Sequence, residues 1–215
     1  MNIIFLGAPG SGKGTQAQML SEELAIPQIS TGNALRKEVE EQSEIGKLAK
    51  SFMDSGDLVP DEVVVNIIKV RIIQDDCQKG FILDGFPRNI SQAKTLDAML
   101  ESLDKEINKV FNFDVDEDIL VKRITGRYTC KKCNTPYNRF FKHPLKEGVC
   151  DNCQGEEFSN RVDDNEETLR SRLKVYNDLS KDLIDHYERN NLLITIKAVK
   201  NPPLIFEELL KAVNN

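Results

Sequence analysis

Nine residues near the start of the chain, Gly7-Ala8-Pro9-Gly10-Ser11-Gly12-Lys13-Gly14-Thr15, place four glycines and a lysine at a spacing that suits anion binding. Gly10, Gly12 and Gly14 let the backbone turn tightly and bring its N–H groups close to a phosphate. Lys13 adds a mobile full charge, and the positive end of a following helix reinforces it. Thr15 offers a hydroxyl to the magnesium ion that accompanies a nucleoside triphosphate. The general pattern sets Ser or Thr directly after the lysine, whereas here Gly14 intervenes. An ordinary glycine-rich turn is the plainer alternative, and the flanking elements argue against it. The apolar run Ile3-Ile4-Phe5-Leu6 predicts a buried strand before the loop, and Ala17, Leu20 and Leu24 predict a helix over Thr15–Leu24 after it.

A second group of reactive side chains is Cys130-x2-Cys133 and Cys150-x2-Cys153, with sixteen residues between the pairs. That is zinc-ribbon spacing: two such turns can present four thiolates tetrahedrally to one ion. Four protein ligands make a closed, structural site, and iron accepts the same donor set. Disulfides are the competing reading, disfavoured in a reducing compartment. His143 lies between the pairs and reads as a surface residue, while Cys77 reads as a small buried hydrophobe in a helical stretch. The segment 128–163 holding the pairs is rich in Pro and Gly and too poor in apolar residues to build its own core, so metal is expected to hold it together.

The rest of the chain alternates strands and helices. Gln28-Ile29 closes a second strand, and Ser30-Thr31-Gly32-Asn33 supplies capping residues ahead of helices over Leu35–Glu41 and Ile45–Met53. Pro60-Asp61 starts a helix that Gly80 stops. Strands over Phe81–Leu83, ending in Asp84, and over Val110–Phe113 flank a helix over Ser91–Leu103. Asp116–Arg127 reads as a helix, Glu166–Tyr187 as a long one with Leu169, Leu173, Tyr176, Leu183 and Tyr187 inward. Leu192–Ile196 and Pro203–Val213 supply a last strand and helix. The prediction is an α/β fold with a five-stranded parallel sheet covered on both faces, its ligand at the carboxyl ends of the strands.

At 215 residues, with 40% hydrophobic and 30% charged residues, the chain suits one soluble domain carrying inserts. A formal charge of −6 argues against a protein that coats nucleic acid or an anionic membrane, although a basic site can exist locally. No apolar run approaches the ~20 residues of a membrane span, and no export signal precedes the first strand, so a cytoplasmic location and no membrane partner are expected.

Four motifs occur in the order found in adenylate kinases, which the chain resembles from Met1 to about Tyr187: Gly7–Thr15, Ser30–Arg36, Asp84-Gly85-Phe86-Pro87-Arg88, and Arg161-Val162-Asp163-Asp164. The resemblance is to the long form with a zinc-bearing lid. It implies a P-loop core over 1–29, 60–127 and 164–215, an AMP-binding insert over 30–59 and a lid over 128–163. It implies reversible, magnesium-dependent phosphoryl transfer from ATP to AMP giving two ADP, with ATP, AMP and ADP as partners and a monomer as the working form. Arg36 and Arg88 would hold the AMP phosphate, with Thr31, Asp57, Leu58, Val59, Gly85, Phe86, Pro87 and Gln92 around base and ribose. Gly10, Ser11, Gly12, Lys13, Gly14 and Thr15 would cradle the ATP phosphates, Arg123 and Arg127 would meet ATP from the lid side with Pro136 and Tyr137, and Lys200 would lie beside the adenine. Arg161 and Arg172 would close over the transferring group, and Asp84 would orient magnesium through its waters.

The chemistry agrees with that implication. An ionised phosphate acceptor needs no strong base; the transfer needs two anions in line and cations to neutralise them. Arginine is planar, always protonated and grips phosphate with paired hydrogen bonds. Arg170 and Arg189 read instead as solvated helix charges. The chain departs from the family at Asn33 (usually Asp), Asn89 (usually Thr), Tyr128 (commonly basic) and Ala198-Val199-Lys200, where a glycine-containing loop is typical. None removes a phosphate ligand. A rival reading makes the cysteine segment a nucleic-acid module, with Tyr137, Phe140 and Phe141 stacking on bases among Lys131, Lys132, Arg139, Lys142 and Lys146. Asp151, Glu156, Glu157, Asp163 and Asp164 offset that charge, and no nucleic-acid partner is expected.

Overall fold

The structure is a computed structural model that describes residues 1–199 and 201–214. Five strands, β1 (Asn2–Gly7), β2 (Gln28–Ser30), β3 (Phe81–Asp84), β4 (Lys109–Asp114) and β8 (Leu193–Lys197), form one sheet in the order β2-β3-β1-β4-β8, every pairing parallel. Consecutive residues of β1 serve opposite faces, as the two-residue repeat of a strand requires. Ile4 and Leu6 join a core with Ile68, Leu96 and Tyr187, while Ile3 and Phe5 join another with Leu20, Phe111 and Leu209. The first core is covered by α4 (Asp61–Ile72), α5 (Ile90–Glu101) and α7 (Glu166–Arg189); the second by α1 (Lys13–Leu24) and α8 (Pro202–Asn214). Both faces of the sheet are therefore sealed, which is what continuous apolar strands such as Phe81–Leu83 demand.

The parallel register brings Gly7, Ser30, Asp84 and Phe113 to one edge of the sheet: Gly7 pairs with Phe113, and Ser30 with Asp84. The loops leaving those strands converge there. Two further helices, α2 (Thr31–Glu40) and α3 (Glu44–Ser55), rise beside β2, and α6 (Glu117–Thr125) leads into a small antiparallel sheet of β5 (Arg127–Cys130), β6 (Pro136–Asn138) and β7 (Phe158–Ser159), ordered β6-β5-β7.

Several local expectations are corrected. The helix begun at Asp61 ends at Ile72 rather than running to Gly80, and Cys77 sits in a short 3-10 turn, Asp75–Cys77. Arg71, in the last turn of α4, grips the Asp76 carboxylate with both terminal nitrogens at 2.7 and 2.6 Å, which folds the chain back. Arg127 opens a strand and is not helical. Gly126 makes the change possible, because a Cβ there would lie 2.6 Å from the Phe140 ring and 2.8 Å from Asn138 Oδ1. Ser30 precedes α2 without capping it through its side chain, and Thr31 is already helical. The Thr31 hydroxyl donates instead to the Gly85 carbonyl at 2.9 Å, tying α2 to the loop after β3.

Candidate active site

The glycine-rich loop leaves β1 with the geometry an anion needs. Gly12 stands at φ 98° as the cap of α1, in the left-handed region that a side chain disfavours, and no side chain caps the helix there. The first amides of α1 are thus left for an anion. Lys13 folds back over its own loop, donating to the carbonyls of Gly7 (2.5 Å) and Ala8 (2.9 Å) and to Ser11 Oγ (3.3 Å). Burial pushes its ammonium down to about 8; Asp84 opposes that, while Arg88, Arg172 and Arg127 add to it. One lysine therefore feels the ends of β3, α7 and the small sheet at once.

Beside the loop, a cleft of about 550 Å³, counting its open mouth, lies between α2, α3, the loop after β3 and α7. Of the residues expected around AMP, Thr31, Arg36, Asp57, Leu58, Val59, Arg88, Gln92 and Arg172 line it. Gly85 adopts φ 79° and its carbonyl accepts from Arg88 Nε at 2.8 Å as well as from Thr31. Phe86 is fully buried and joins Pro87 through a cis peptide bond. Both lie outside the lining of the cleft, as does Arg161.

The arginines are held under tension from burial and from one another. Burial lowers Arg88 to about 10, with Arg172 adding to it, and lowers Arg161 to about 9, with Arg127 and Arg36 adding to it. Arg36 and Arg172 are shifted down for the same leading reason. All remain cationic near neutral pH. Two carboxylates compensate such cations: Asp164 pairs with Arg127 through both oxygens, and Asp163 accepts from Arg172 Nη1 at 2.8 Å. Arg123 reaches across the site, from the Ser11 carbonyl (3.1 Å) to that of Ala198 (2.8 Å), and so ties the phosphate loop to the segment after β8. Asp84, at the end of β3, accepts from Gln28 Nε2 at 3.0 Å through Oδ2, and a Cβ at Gly14 would lie 3.4 Å from that same oxygen. Lys200 lies outside the described residues.

The four cysteines come together as spaced. Their sulfurs all lie within 4.8 Å of one another, with Cys130 to Cys153 and Cys133 to Cys150 at 3.5 Å. A disulfide needs about 2.05 Å, so the four are free thiols. The two turns are built alike. Asn134 and Gln154, each following the second cysteine of its pair, both adopt φ 58°, and their N–H groups donate at 2.9 Å to the carbonyls of Cys130 and Cys150. Four convergent sulfurs on paired turns fit a tetrahedral thiophilic ion. His143 is exposed, and the metal-ligating cluster found among the described residues is cysteine alone.

Tyr137 is 2% exposed, stacked on Tyr128 with ring centroids 5.7 Å apart and meeting Phe158 edge-on. This removes its ring from the base-stacking reading and leaves Pro136 and the Tyr137 main chain, on an edge strand, facing outward from the small sheet. It also accounts for Tyr128 at a position that is commonly basic: the ring completes an aromatic core beside the cysteines.

A family model described as adenylate kinase matches residues 5–192. The chain is 49% identical over 209 residues to the adenylate kinase of Archaeoglobus fulgidus, covering 97% of this chain and 96% of that one. It is 47% identical over 215 residues to the adenylate kinase of Clostridioides difficile (100% and 99% covered), and 47% identical over 213 residues to that of Caldicellulosiruptor bescii (99% of each). The chain belongs to the adenylate kinase family. It is a phosphotransferase acting between ATP and AMP. As an adenylate kinase it adds to the sequence reading three groups that periodicity could not single out. Asp163 and Asp164 were visible only as part of a motif; Asp163 pairs with Arg172 in the helix that follows it, and Asp164 with Arg127 in the small sheet, pairings that required the fold. Asp61, legible as a helix start, turns out to bond both Asn89 and Gln92.

Proposed function

We propose that phosphoryl transfer in this chain is carried by a ring of fixed cations around one cleft, with the AMP side formed by 30–59 and the lid by 128–163, both closing on a core of 1–29, 60–127 and 164–215. The observation behind this reading is the electrostatic environment of Lys13, which is shared by Arg88 of the loop after β3, Arg172 of α7 and Arg127 of β5. Such cations repel one another, and two nucleotides bearing opposed phosphates relieve that repulsion.

In this reading Arg36 and Arg88 hold the AMP phosphate, and Gln92 reads the adenine beside Thr31 and Val59. Main-chain amides of the phosphate loop, Lys13 and Arg123 hold the ATP phosphates, with Arg127 and the segment at Pro136 and Tyr137 approaching from the lid. Arg161 and Arg172 bear on the group in flight. As nucleotide phosphates arrive they take the place of Asp163 and Asp164 as partners of Arg172 and Arg127, so closure exchanges internal ion pairs for substrate ones. Closure also excludes water, the competing acceptor. Asp84 and the Thr15 hydroxyl supply hard oxygen donors at the end of β3 and the start of α1, which suit magnesium held partly through its waters. Bound there, magnesium would neutralise charge on the phosphates. The thiolates of Cys130, Cys133, Cys150 and Cys153 would hold a structural zinc ion. A cytoplasmic monomer completes the reading; no described helix is long and apolar enough to cross a membrane.

A coupled assay of ATP consumption with AMP, GMP, CMP or UMP as acceptor tests the acceptor assignment, with AMP expected to be used best. A bisubstrate analogue bound away from Lys13, Arg88 and Arg172 would overturn the site assignment. Metal analysis is expected to give one zinc per chain.

A further inference from the structure

Asp61 is the first residue of α4, where the helix's positive end supports a carboxylate. Its neighbours are amides: Asn89 Nδ2 donates to both oxygens, at 3.1 and 3.2 Å, and Gln92 Nε2 donates to Oδ1 at 2.6 Å. At the other end of the Gln92 amide, the Arg88 main-chain N–H donates to Oε1 at 2.8 Å. A main-chain N–H can only donate, and an ionised carboxylate can only accept. The two neighbours therefore enforce one orientation; the reversed amide would set oxygen against Asp61 and NH2 against the Arg88 N–H. Asn89 is fixed as well, because its Oδ1 caps α5 by accepting from the Gln92 N–H at 2.8 Å, which leaves its Nδ2 for Asp61. Gln92 is 2% exposed and lines the cleft. Each end of its amide has used one hydrogen bond, so one N–H and one oxygen lone pair remain for a ligand.

We propose that Asp61 is a positioning residue that sets acceptor selectivity, by holding the Gln92 amide so that the cleft presents its N–H and its oxygen in a fixed order. This rests on the reading of Gln92 as the contact to the acceptor base. Adenine carries an amino donor beside a ring-nitrogen acceptor, which complements an amide presented this way. Hypoxanthine and guanine carry a carbonyl oxygen where adenine carries its amine, so the held amide oxygen would meet another acceptor. A turned amide would match them instead. A site built to hydrogen-bond a polar group discriminates strongly, because a mismatch leaves buried polar atoms unpaired.

The test compares kcat/KM for AMP and IMP as acceptors, at saturating magnesium-ATP, in the unaltered enzyme and in Asp61→Asn. An asparagine at 61 can donate or accept toward Gln92, so one of the two mismatches that oppose the turned amide is removed and only the Arg88 N–H still resists it. The AMP:IMP ratio is expected to fall at least tenfold, with KM for AMP rising more than kcat falls. Thermal denaturation establishes that the variant is folded; if it is not, Asp61→Ser carries the same measurement. A purely structural Asp61 would lower both acceptors by the same factor, and an unchanged ratio in a selective enzyme would overturn the proposal alone. An unaltered enzyme that uses AMP and IMP equally would overturn the reading of Gln92, and the proposal with it.

Discussion

Lys13 is the residue at which burial and charge conflict most directly. Its ammonium is lowered to about 8 by burial, so in the free enzyme its proton is lost within the working range of many assays. A bound phosphate restores the charged form. ATP binding at pH 8 is therefore expected to take up protons, and the apparent Kd for ATP to rise as pH goes from 7 to 9. Calorimetry in buffers of different ionisation enthalpy measures the uptake; proton release, or none, would contradict the assignment. The same shift acts on stability in a defined direction. Because the folded value lies below the unfolded 10.5, the unfolded chain holds more protons between about 8 and 10.5. The cost of burying this ammonium is fully present below about 8 and is relieved as pH rises through that window. The sequence identifies Lys13 as a phosphate ligand from the loop around it. Its titration was not legible there, because the burial that lowers it, and Asp84, Arg88, Arg172 and Arg127 that act on it in addition, come about only through the fold.

At the scale of elements, α2 and α3 approach so closely that a side chain at Gly46 has no room: a Cβ there would lie 2.0 Å from the Glu38 carbonyl oxygen. Gly46→Ala should force the two helices apart at a cost of about 1–3 kcal/mol. Since this pair walls the cleft, KM for AMP is expected to rise several-fold while KM for ATP changes little; an equal effect on both would show that the wall serves no acceptor. The cysteine sheet makes a different prediction. Its described hydrophobic cluster contains little beyond aromatic rings and the cysteines themselves, so a metal held by the four cysteines would stand in for a core. Cys130→Ser with Cys133→Ser should cost about 2–3 kcal/mol, lowering the melting temperature by roughly 5–10 °C, while leaving partial turnover at low temperature. Complete loss of turnover in a folded variant would contradict a purely structural ion. Strands were legible in the sequence wherever both faces are buried, as in Ile3–Leu6 and Phe81–Leu83, since an apolar run flanked by glycine has few other solutions. The small sheet was not: β7 is two residues long, and its pairing with β5 is fixed by the cysteine turns rather than by an apolar repeat. Arg127 misled for a related reason. The helical periodicity of 116–124 carries no sign that Gly126 must yield to the Phe140 ring.

For the whole molecule, a net charge of −6 surrounds a cleft lined in part by arginines, and internal carboxylates partner two of the cations around it, Arg127 and Arg172. In the proposed reading opposed anions are gathered there as the pieces bearing the cations move together, because Arg36 lies in α2, Arg88 in the loop after β3, Arg127 in β5 and Arg172 in α7. That requirement leads to a prediction about motion. Amide hydrogen exchange should slow in 128–163 when ATP alone is bound, in 30–59 when AMP alone is bound, and in both with a bisubstrate analogue, while β1, β3 and β4 stay as protected as before. The same analogue at a thousand times its Kd should add about 4 kcal/mol to unfolding free energy, seen as a raised melting temperature. Each substrate alone gives less, since the cations on the unoccupied side keep their mutual repulsion. Protection confined to the phosphate loop under all three conditions would mean that the two inserts do not close, and the exchange of Asp163 and Asp164 for substrate phosphates would have no structural basis.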